Sequence, residues 1–160
     1  MNKNSKGFSL IELLIVVAII LIIAAIAIPN LLRSRIAANQ ASCVGSLRTI
    51  NTAEVTYSTT YNIGYTSTLA DLGPVAPGAQ PTSTTADLID SVLAGGEKSG
   101  YDFAYTSGTA VNNQINTYQL WGSPASVGQT GQNYYFTDES NVIRFNTSAS
   151  ASATDSPIGG

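Results

Sequence analysis

The side chains that carry most enzyme chemistry are scarce in this 160-residue chain. It has no histidine, which excludes the commonest general base, the commonest metal ligand and every histidine-containing catalytic triad. Its one cysteine, Cys43, cannot form a disulfide within the chain, and we interpret it as a small buried apolar residue. The sequence therefore predicts no enzyme, no cofactor and no metal site.

The remaining candidates are short polar clusters with simpler explanations. Asp138 and Glu139 are adjacent, so on a strand they would point to opposite faces, and we interpret them as a hairpin turn rather than a calcium loop. Lys98-Ser99-Gly100 is interpreted as a loop before a strand rather than a nucleophile site. The net charge is −3, and the seven lysines and arginines form no basic patch, so nucleic-acid binding is not predicted.

One carboxylate stands out because it lies in an apolar segment. Glu12 is followed by sixteen uncharged residues, Leu13 to Ile28, and then by Pro29. A carboxylate in hydrocarbon costs about 2.5–3.5 kcal/mol on insertion scales unless it is paired. Explaining Glu12 is therefore the main functional question that this sequence poses.

Two ordinary interpretations of the segment leave Glu12 unexplained. Lys3 and Lys6 precede it, so the positive-inside rule predicts a cytoplasmic N-terminus and export of the remainder. One interpretation is a cleavable secretory signal, with the Ala-Ile-Ala sequence at 25–27 as a small-x-small site. The other is a single-span anchor, because residues 8–28 would form about 31 Å of helix. A carboxylate near the start of the segment is unfavourable in both.

A third interpretation gives Glu12 a purpose. The run Gly7-Phe8-Ser9-Leu10-Ile11-Glu12-Leu13 resembles the cleavage and methylation motif of type IV prepilins, and the similarity extends through the apolar helix. The resemblance implies that a membrane-embedded peptidase cuts between Gly7 and Phe8 and methylates the new amino terminus of Phe8. Glu12 would become the fifth residue of the mature chain. Pro29 would become its twenty-second, where many members of the family have a helix-bending proline.

The resemblance also implies a role for the misplaced charge. In filaments of this family the glutamate is thought to meet the amino terminus of a neighbouring subunit. Such a pair lowers the cost of burying each charge, so a subunit that joins the filament base is favoured over one isolated in lipid. We therefore expect Glu12 to select for assembly rather than for insertion.

Composition divides the chain into three parts. We expect a leader at 1–7, an apolar helix at 8–29 that is transmembrane and then filament core, and a globular domain at 30–160 whose Ser/Thr-rich tail at 147–160 is loosely packed. Beyond the bend the helix is predicted to continue to about Thr60, with one apolar face formed by Ile36, Cys43, Leu47, Ile50, Ala53 and Tyr57. The opposite, polar face is predicted to contain Arg35, Asn39, Gln40, Ser46, Arg48 and Thr49.

The rest of the chain predicts an α+β domain in which four antiparallel strands cover the amphipathic half of the helix. This is also the architecture that the pilin resemblance implies. The expected elements are a loop anchored by Leu69 and Leu72, a short helix at 85–94 capped by Thr84 or Thr85, and strands at 101–106, 115–121, 133–137 and 142–146.

The resemblance implies a structural subunit that polymerises into a type IV pilus. Its partners would be its own copies, the prepilin peptidase and methyltransferase, and the pilus assembly platform. It would lie in the inner membrane before assembly and in an extracellular pilus afterwards. Two alternatives stay open within the class, a pseudopilin of type II secretion and a minor pilin. From a different class, a membrane-anchored periplasmic binding or adhesion module stays open.

Overall fold

The computed structural model describes residues 7–159, so the predicted leader, with Lys3 and Lys6, lies outside the described residues apart from Gly7. The elements in chain order are α1 (Leu10–Tyr61), a 3-10 turn (Leu69–Leu72), α2 (Ser91–Ala94), β1 (Glu97–Lys98), β2 (Tyr101–Ser107), β3 (Tyr118–Pro124), β4 (Tyr134–Asp138) and β5 (Arg144–Asn146). The predicted α+β fold is confirmed, with five strands where four were expected. The chain divides between Arg35 and Ile36 into an apolar unit (residues 7–35) and a globular unit (residues 36–159).

The apolar unit is a helical segment in which almost all the side chains of the described residues are exposed. Between Phe8 and Leu32, seventeen large apolar side chains are exposed. The helix does not end at Pro29, although a proline has no N–H to donate to the carbonyl of Ala25. By length and composition this part of α1 is able to cross a membrane.

In the globular unit, α1 buries the face that its sequence period predicts. All six predicted residues are buried: Ile36, Cys43, Leu47, Ile50, Ala53 and Tyr57. Three polar residues share this face, Ser46, Asn51 and Glu54. Ser46 was expected on the opposite, solvent-exposed face, and that prediction is wrong because its small side chain fits beside Leu47 at the edge of the buried stripe.

The five strands form an antiparallel sheet in sequence order, β1-β2-β3-β4-β5. On β2, Tyr101 and Phe103 are buried and Asp102 is exposed, as the alternation predicts. On β3 the register was open, and the structure buries Tyr118 and Leu120 in the core shared with α1. The strand expected at 115–121 begins and ends three residues later, at Tyr118–Pro124.

The helix expected at 85–94 is reduced to its last turn, and its predicted cap is wrong. Residues 86–89 are non-helical, with a positive φ of 58° at Asp87, and their amides hydrogen-bond to the segment at 71–73, with the Ala86 amide donating to the Asp71 carbonyl at 2.8 Å. Helix α2 therefore begins at Ser91, and its cap is Asp90, whose Oδ1 accepts a hydrogen bond from the Leu93 amide at 2.9 Å.

The C-terminal segment that was expected to be loosely packed is docked on the sheet. The Ile158 amide donates to the Ile143 carbonyl at 2.9 Å, so the segment runs antiparallel beside β5. Ala151 is buried, and its carbonyl accepts a hydrogen bond from Nε1 of Trp121 at 3.1 Å. The tail thus covers the β5 edge of the sheet and part of the sheet face that holds Trp121 and Phe136.

Helix α1 and the sheet approach each other closely at Gly122 on β3. A Cβ atom at this position would lie 2.6 Å from the Sγ of Cys43 on α1, while its other neighbours, on Tyr135 and Phe103, would be at ordinary distances of 3.7 and 3.8 Å. Gly122 therefore leaves room for the sulfur.

We expect Gly122→Ala to lower the free energy of unfolding by about 1–3 kcal/mol, because the added methyl overlaps Sγ. Cys43→Ala should rescue part of this loss, with a coupling energy of about 0.5–3 kcal/mol in denaturant unfolding of the four chains of the cycle. Gly45→Ala is the matched control, since the site is helical with nothing within 4 Å, and it should stabilise the chain. Strictly additive effects at Gly122 and Cys43 would contradict this account of the contact.

Candidate functional site

The predicted cleavage bond lies in exposed backbone just before α1. Gly7 and Phe8 are outside the helix, which begins at Leu10. Phe8 is 74% exposed, and a side chain added at Gly7 would meet nothing within 4 Å. Nothing in the described part of the chain blocks access to this peptide bond.

Glu12 lies in the first turn of α1, where it has a local role that the sequence analysis missed. Its Oε2 accepts a hydrogen bond from the Ser9 amide at 2.9 Å, and the Oγ of Ser9 accepts one from the Ile11 amide at 3.3 Å. This reciprocal arrangement is a variant of the capping box, because the hydroxyl binds the second amide of the helix rather than the third, and it is called the capping box below. It satisfies helix donors that have no partner within the helix. The pattern Ser-x-x-Glu before an apolar run would have predicted it.

Because of the capping box, the Glu12 carboxylate already has a hydrogen-bond donor before any partner subunit is present. One of its oxygens is engaged by its own chain, and a carboxylate at a helix N-terminus interacts favourably with the helix dipole. A cut between Gly7 and Phe8 leaves the Ser9 amide intact, because the Ser9 nitrogen is bonded to the carbonyl carbon of Phe8, which stays in the mature chain. Glu12 itself is exposed, so its second oxygen is available to a partner.

The polar clusters considered in the sequence have structural roles. Asp138 accepts hydrogen bonds from the amide and hydroxyl of Ser140, which confirms the predicted hairpin turn. The Nζ of Lys98 lies 2.8 Å from Oδ2 of Asp90, and the hydroxyl of Ser99 accepts a hydrogen bond from Ser42. Among residues 7–159 no three acidic, cysteine or histidine side chains are close enough to hold a metal ion.

Cys43 is 1% exposed, as predicted for a small core residue. Burial raises the pKa of its thiol far above the ordinary value, so the reactive thiolate is disfavoured. The thiol is therefore a packing group rather than a reactive one.

A second carboxylate, Glu54, is buried near the C-terminal end of α1 and was not predicted as a site from the sequence. Its oxygens accept hydrogen bonds from the amide of Thr66, at 3.0 Å, and from the Thr66 hydroxyl. The hydroxyl of Tyr105 donates to the Thr66 carbonyl at 3.0 Å. Within residues 7–159 Glu54 has no cationic partner. Burial raises the pKa of the Glu54 carboxyl, and the nearby charge of Asp71 adds to the rise, against the hydrogen bonds from Thr66.

The Glu54 cluster has enough donors for either protonation state. When ionised, the carboxylate accepts from the amide and hydroxyl of Thr66. When neutral, it donates its proton to the Thr66 hydroxyl, which then donates to the Tyr105 hydroxyl 3.1 Å away. The cluster joins α1 to the loop after it and to β2, so it positions the loop rather than performing chemistry.

Comparison with known proteins identifies the same N-terminal segment that the geometry singles out. A family model described as "Prokaryotic N-terminal methylation motif" matches residues 2–28, which include the exposed bond, the capping box and most of the apolar unit. No solved structure matches this chain significantly.

Two curated proteins are similar over longer stretches. The chain is 39% identical over 89 residues to the "Type IV wide pilus major component PilA4" of Thermus thermophilus, a match that covers 56% of this chain and 67% of that protein. It is 45% identical over 56 residues to the "Type IV major pilin protein PilA" of Myxococcus xanthus, covering 35% of this chain and 26% of that protein.

The buried Glu54 predicts a specific pH dependence of stability. Because its pKa is raised in the folded chain, its stabilising contribution is complete below the unfolded pKa and is lost as the pH rises through the folded pKa. Glu54→Gln mimics the neutral acid, so it should match the wild type at about pH 4 and be the more stable of the two at about pH 8. Thermal unfolding of both chains across this range measures the difference. A wild type that gains stability over Glu54→Gln with rising pH would contradict the assignment.

Proposed function

The chain belongs to the type IV pilin family and is a structural subunit of a pilus, and from this premise we propose that its mature form begins at Phe8 and polymerises into a surface filament. The observation that carries the proposal is the coincidence of the methylation motif with an exposed peptide bond and an uncovered apolar helix. Both relatives are described as major pilus components, which favours a major subunit over a pseudopilin or minor pilin.

The first step of the proposal is processing by a membrane-embedded prepilin peptidase and methyltransferase. The enzyme would cut between Gly7 and Phe8 and methylate the new α-amino group. The non-helical backbone at Gly7 and the exposure of Phe8 support this, because a peptidase must bind the chain extended and from the side. The basic residues Lys3 and Lys6 would hold the leader on the cytoplasmic face until the cut.

The second step is transfer of the apolar unit from lipid to a filament core. Full burial of one large apolar side chain is worth about 1.5–3 kcal/mol relative to water, so the seventeen exposed ones cannot remain in solvent. The inner membrane covers them before assembly, and other copies of the chain cover them in the pilus. The pilus assembly platform would move the subunit between these environments.

The third step gives Glu12 its second partner. Processing creates an α-amino group on Phe8 that has to enter the filament core with the helix. The second oxygen of Glu12 is not used by its own Ser9 amide. It would accept a hydrogen bond from the α-amino group of a neighbouring subunit. The pair lowers the free-energy cost of burying both charges. Before assembly, the capping box lowers the cost of holding the Glu12 carboxylate in lipid without that partner.

Pro29 would bend or loosen α1 during packing. It removes one backbone hydrogen bond in the middle of a continuous helix. This allows the apolar unit to adjust to neighbours in a filament, a role separate from that of Glu12.

Mass spectrometry of sheared filaments tests the processing step. We expect the N-terminal peptide to begin at N-methyl-Phe8, because the motif directs both reactions to this residue. A mature chain that begins at Met1, or at a residue beyond the apolar unit, would contradict the proposal.

Two substitutions separate the assembly role of Glu12 from its capping role. Glu12→Gln keeps an oxygen for the Ser9 amide but removes the charge, and it should lower filament yield by more than about tenfold because the buried amine loses its counter-ion. Ser9→Ala removes the cap hydroxyl but keeps the carboxylate, so it should assemble at nearly the normal level.

Yield is counted by electron microscopy of sheared material, with membrane insertion and leader cleavage checked by immunoblot. If Glu12→Gln assembled at the normal level, the charge of Glu12 would not be needed, and its role would be limited to the hydrogen bond with the Ser9 amide.

A further inference from the structure

In the globular unit, α1 has a second face that is largely exposed, although its Val44 packs partly against the core. It follows a helical spacing of three and four residues and consists of Ala37, Ala41, Val44, Arg48, Thr52 and Val55. Three open grooves, of about 610, 440 and 350 Å³, lie along it, and Arg48 lines all three. Arg48 is the only charged side chain on this face.

Arg48 is also the cation of the globular unit whose side chain makes neither an ion pair nor a hydrogen bond among the described residues. Residues 36–159 contain nine carboxyl side chains and three cationic ones. Lys98 pairs with Asp90, and Arg144 donates to the Asp155 carbonyl at 2.8 Å. Arg48 is exposed and makes no ion pair among the described residues.

The complementary feature lies at the β1 edge of the sheet. Glu97 on β1 and Asp102 on β2 are directly opposite each other, and both are exposed. Like charges at such positions repel across the strand pair, by an amount comparable with ordinary cross-strand attractions. The nearby Lys98 does not neutralise them, since it is engaged by Asp90.

We propose that the Arg48 face of one subunit binds the Glu97–Asp102 edge of a second copy of the chain. The inference rests on the proposed polymerisation and names one of its contacts. A guanidinium binds carboxylates through several parallel hydrogen bonds, and it relieves the repulsion between the two acids. Val92, exposed on α2 just before this edge, supplies an apolar side chain for a groove beside Arg48.

The choice of a second copy follows from charge and symmetry. Every copy carries both the unpaired cation and the unpaired acidic edge, so the partner needs no other source. The two surfaces are different, which makes the contact heterologous, and heterologous contacts that do not close into a ring propagate into filaments. An arginine that becomes buried when two subunits bind is also the kind of residue that dominates interface energies.

Charge reversal and its compensation test the contact in cells that assemble the wild-type chain. Arg48→Glu and Asp102→Arg alone should each lower filament yield by about tenfold or more, because each brings like charges together. The double variant Arg48→Glu/Asp102→Arg should restore the yield to within about threefold of the wild type. Arg48→Glu/Glu139→Arg is the matched control, with the same net charge, and it should not restore assembly.

A crosslinking experiment is independent of the yields. Filaments of Arg48→Cys/Asp102→Cys, treated with a short bis-maleimide, should give a ladder of multimers, whereas Arg48→Cys/Glu139→Cys should stay monomeric. The native Cys43 is buried and does not compete.

Several results would overturn the contact. They are wild-type assembly by Arg48→Glu, equal rescue by the two double variants, and equal ladders from the two cysteine pairs. In each case the wild type still forms filaments, so polymerisation itself would stand. Absence of filaments from the wild-type chain would instead refute the proposed function together with this contact.

Discussion

The uncovered apolar surface of the first half of α1 is the constraint on which the rest of this protein depends. Seventeen large apolar side chains between Phe8 and Leu32 are exposed in the part of the chain that the structure describes. Water is an unfavourable environment for so much apolar surface, and a membrane or other copies of the same helix would cover it. The proposed function uses both, one after the other. The globular unit, by contrast, completes its own core with α1 and the sheet.

Glu12 is the one charged side chain within this surface, and in the proposed assembly it moves with the surface from lipid to filament. Its capping box means that the charge is not bare before assembly, since the Ser9 amide binds one oxygen. The same geometry leaves the other oxygen for a partner. A single carboxylate therefore caps the start of the helix and, in the proposed filament, binds the amine of a neighbour. Both roles require it in the first turn.

Local patterns predicted the parts of the fold that local forces determine. The spacing from Ile36 to Tyr57 predicted the buried helix face, and the alternation from Tyr101 to Thr106 predicted β2, because burial imposes the period of each element. Long-range partners decided the rest. The two-residue β1 is too short to alternate, and the Ser/Ala/Thr composition of the tail hides its hydrogen bonds to β5 and Trp121. Glu54 lies on the buried face of α1 at the helical spacing, but its hydrogen-bond partner is a threonine on the following loop, which no helical pattern indicates.

The central claim is that the apolar helix ends in the filament core with Glu12 bound to a neighbour. A near-atomic electron cryomicroscopy reconstruction of filaments made of this chain tests it most directly. The account predicts the apolar units packed together on the axis, with a Glu12 oxygen within about 4 Å of the Phe8 nitrogen of an adjacent subunit. Apolar units on the outer surface, or Glu12 bound only to its own Ser9, would contradict it.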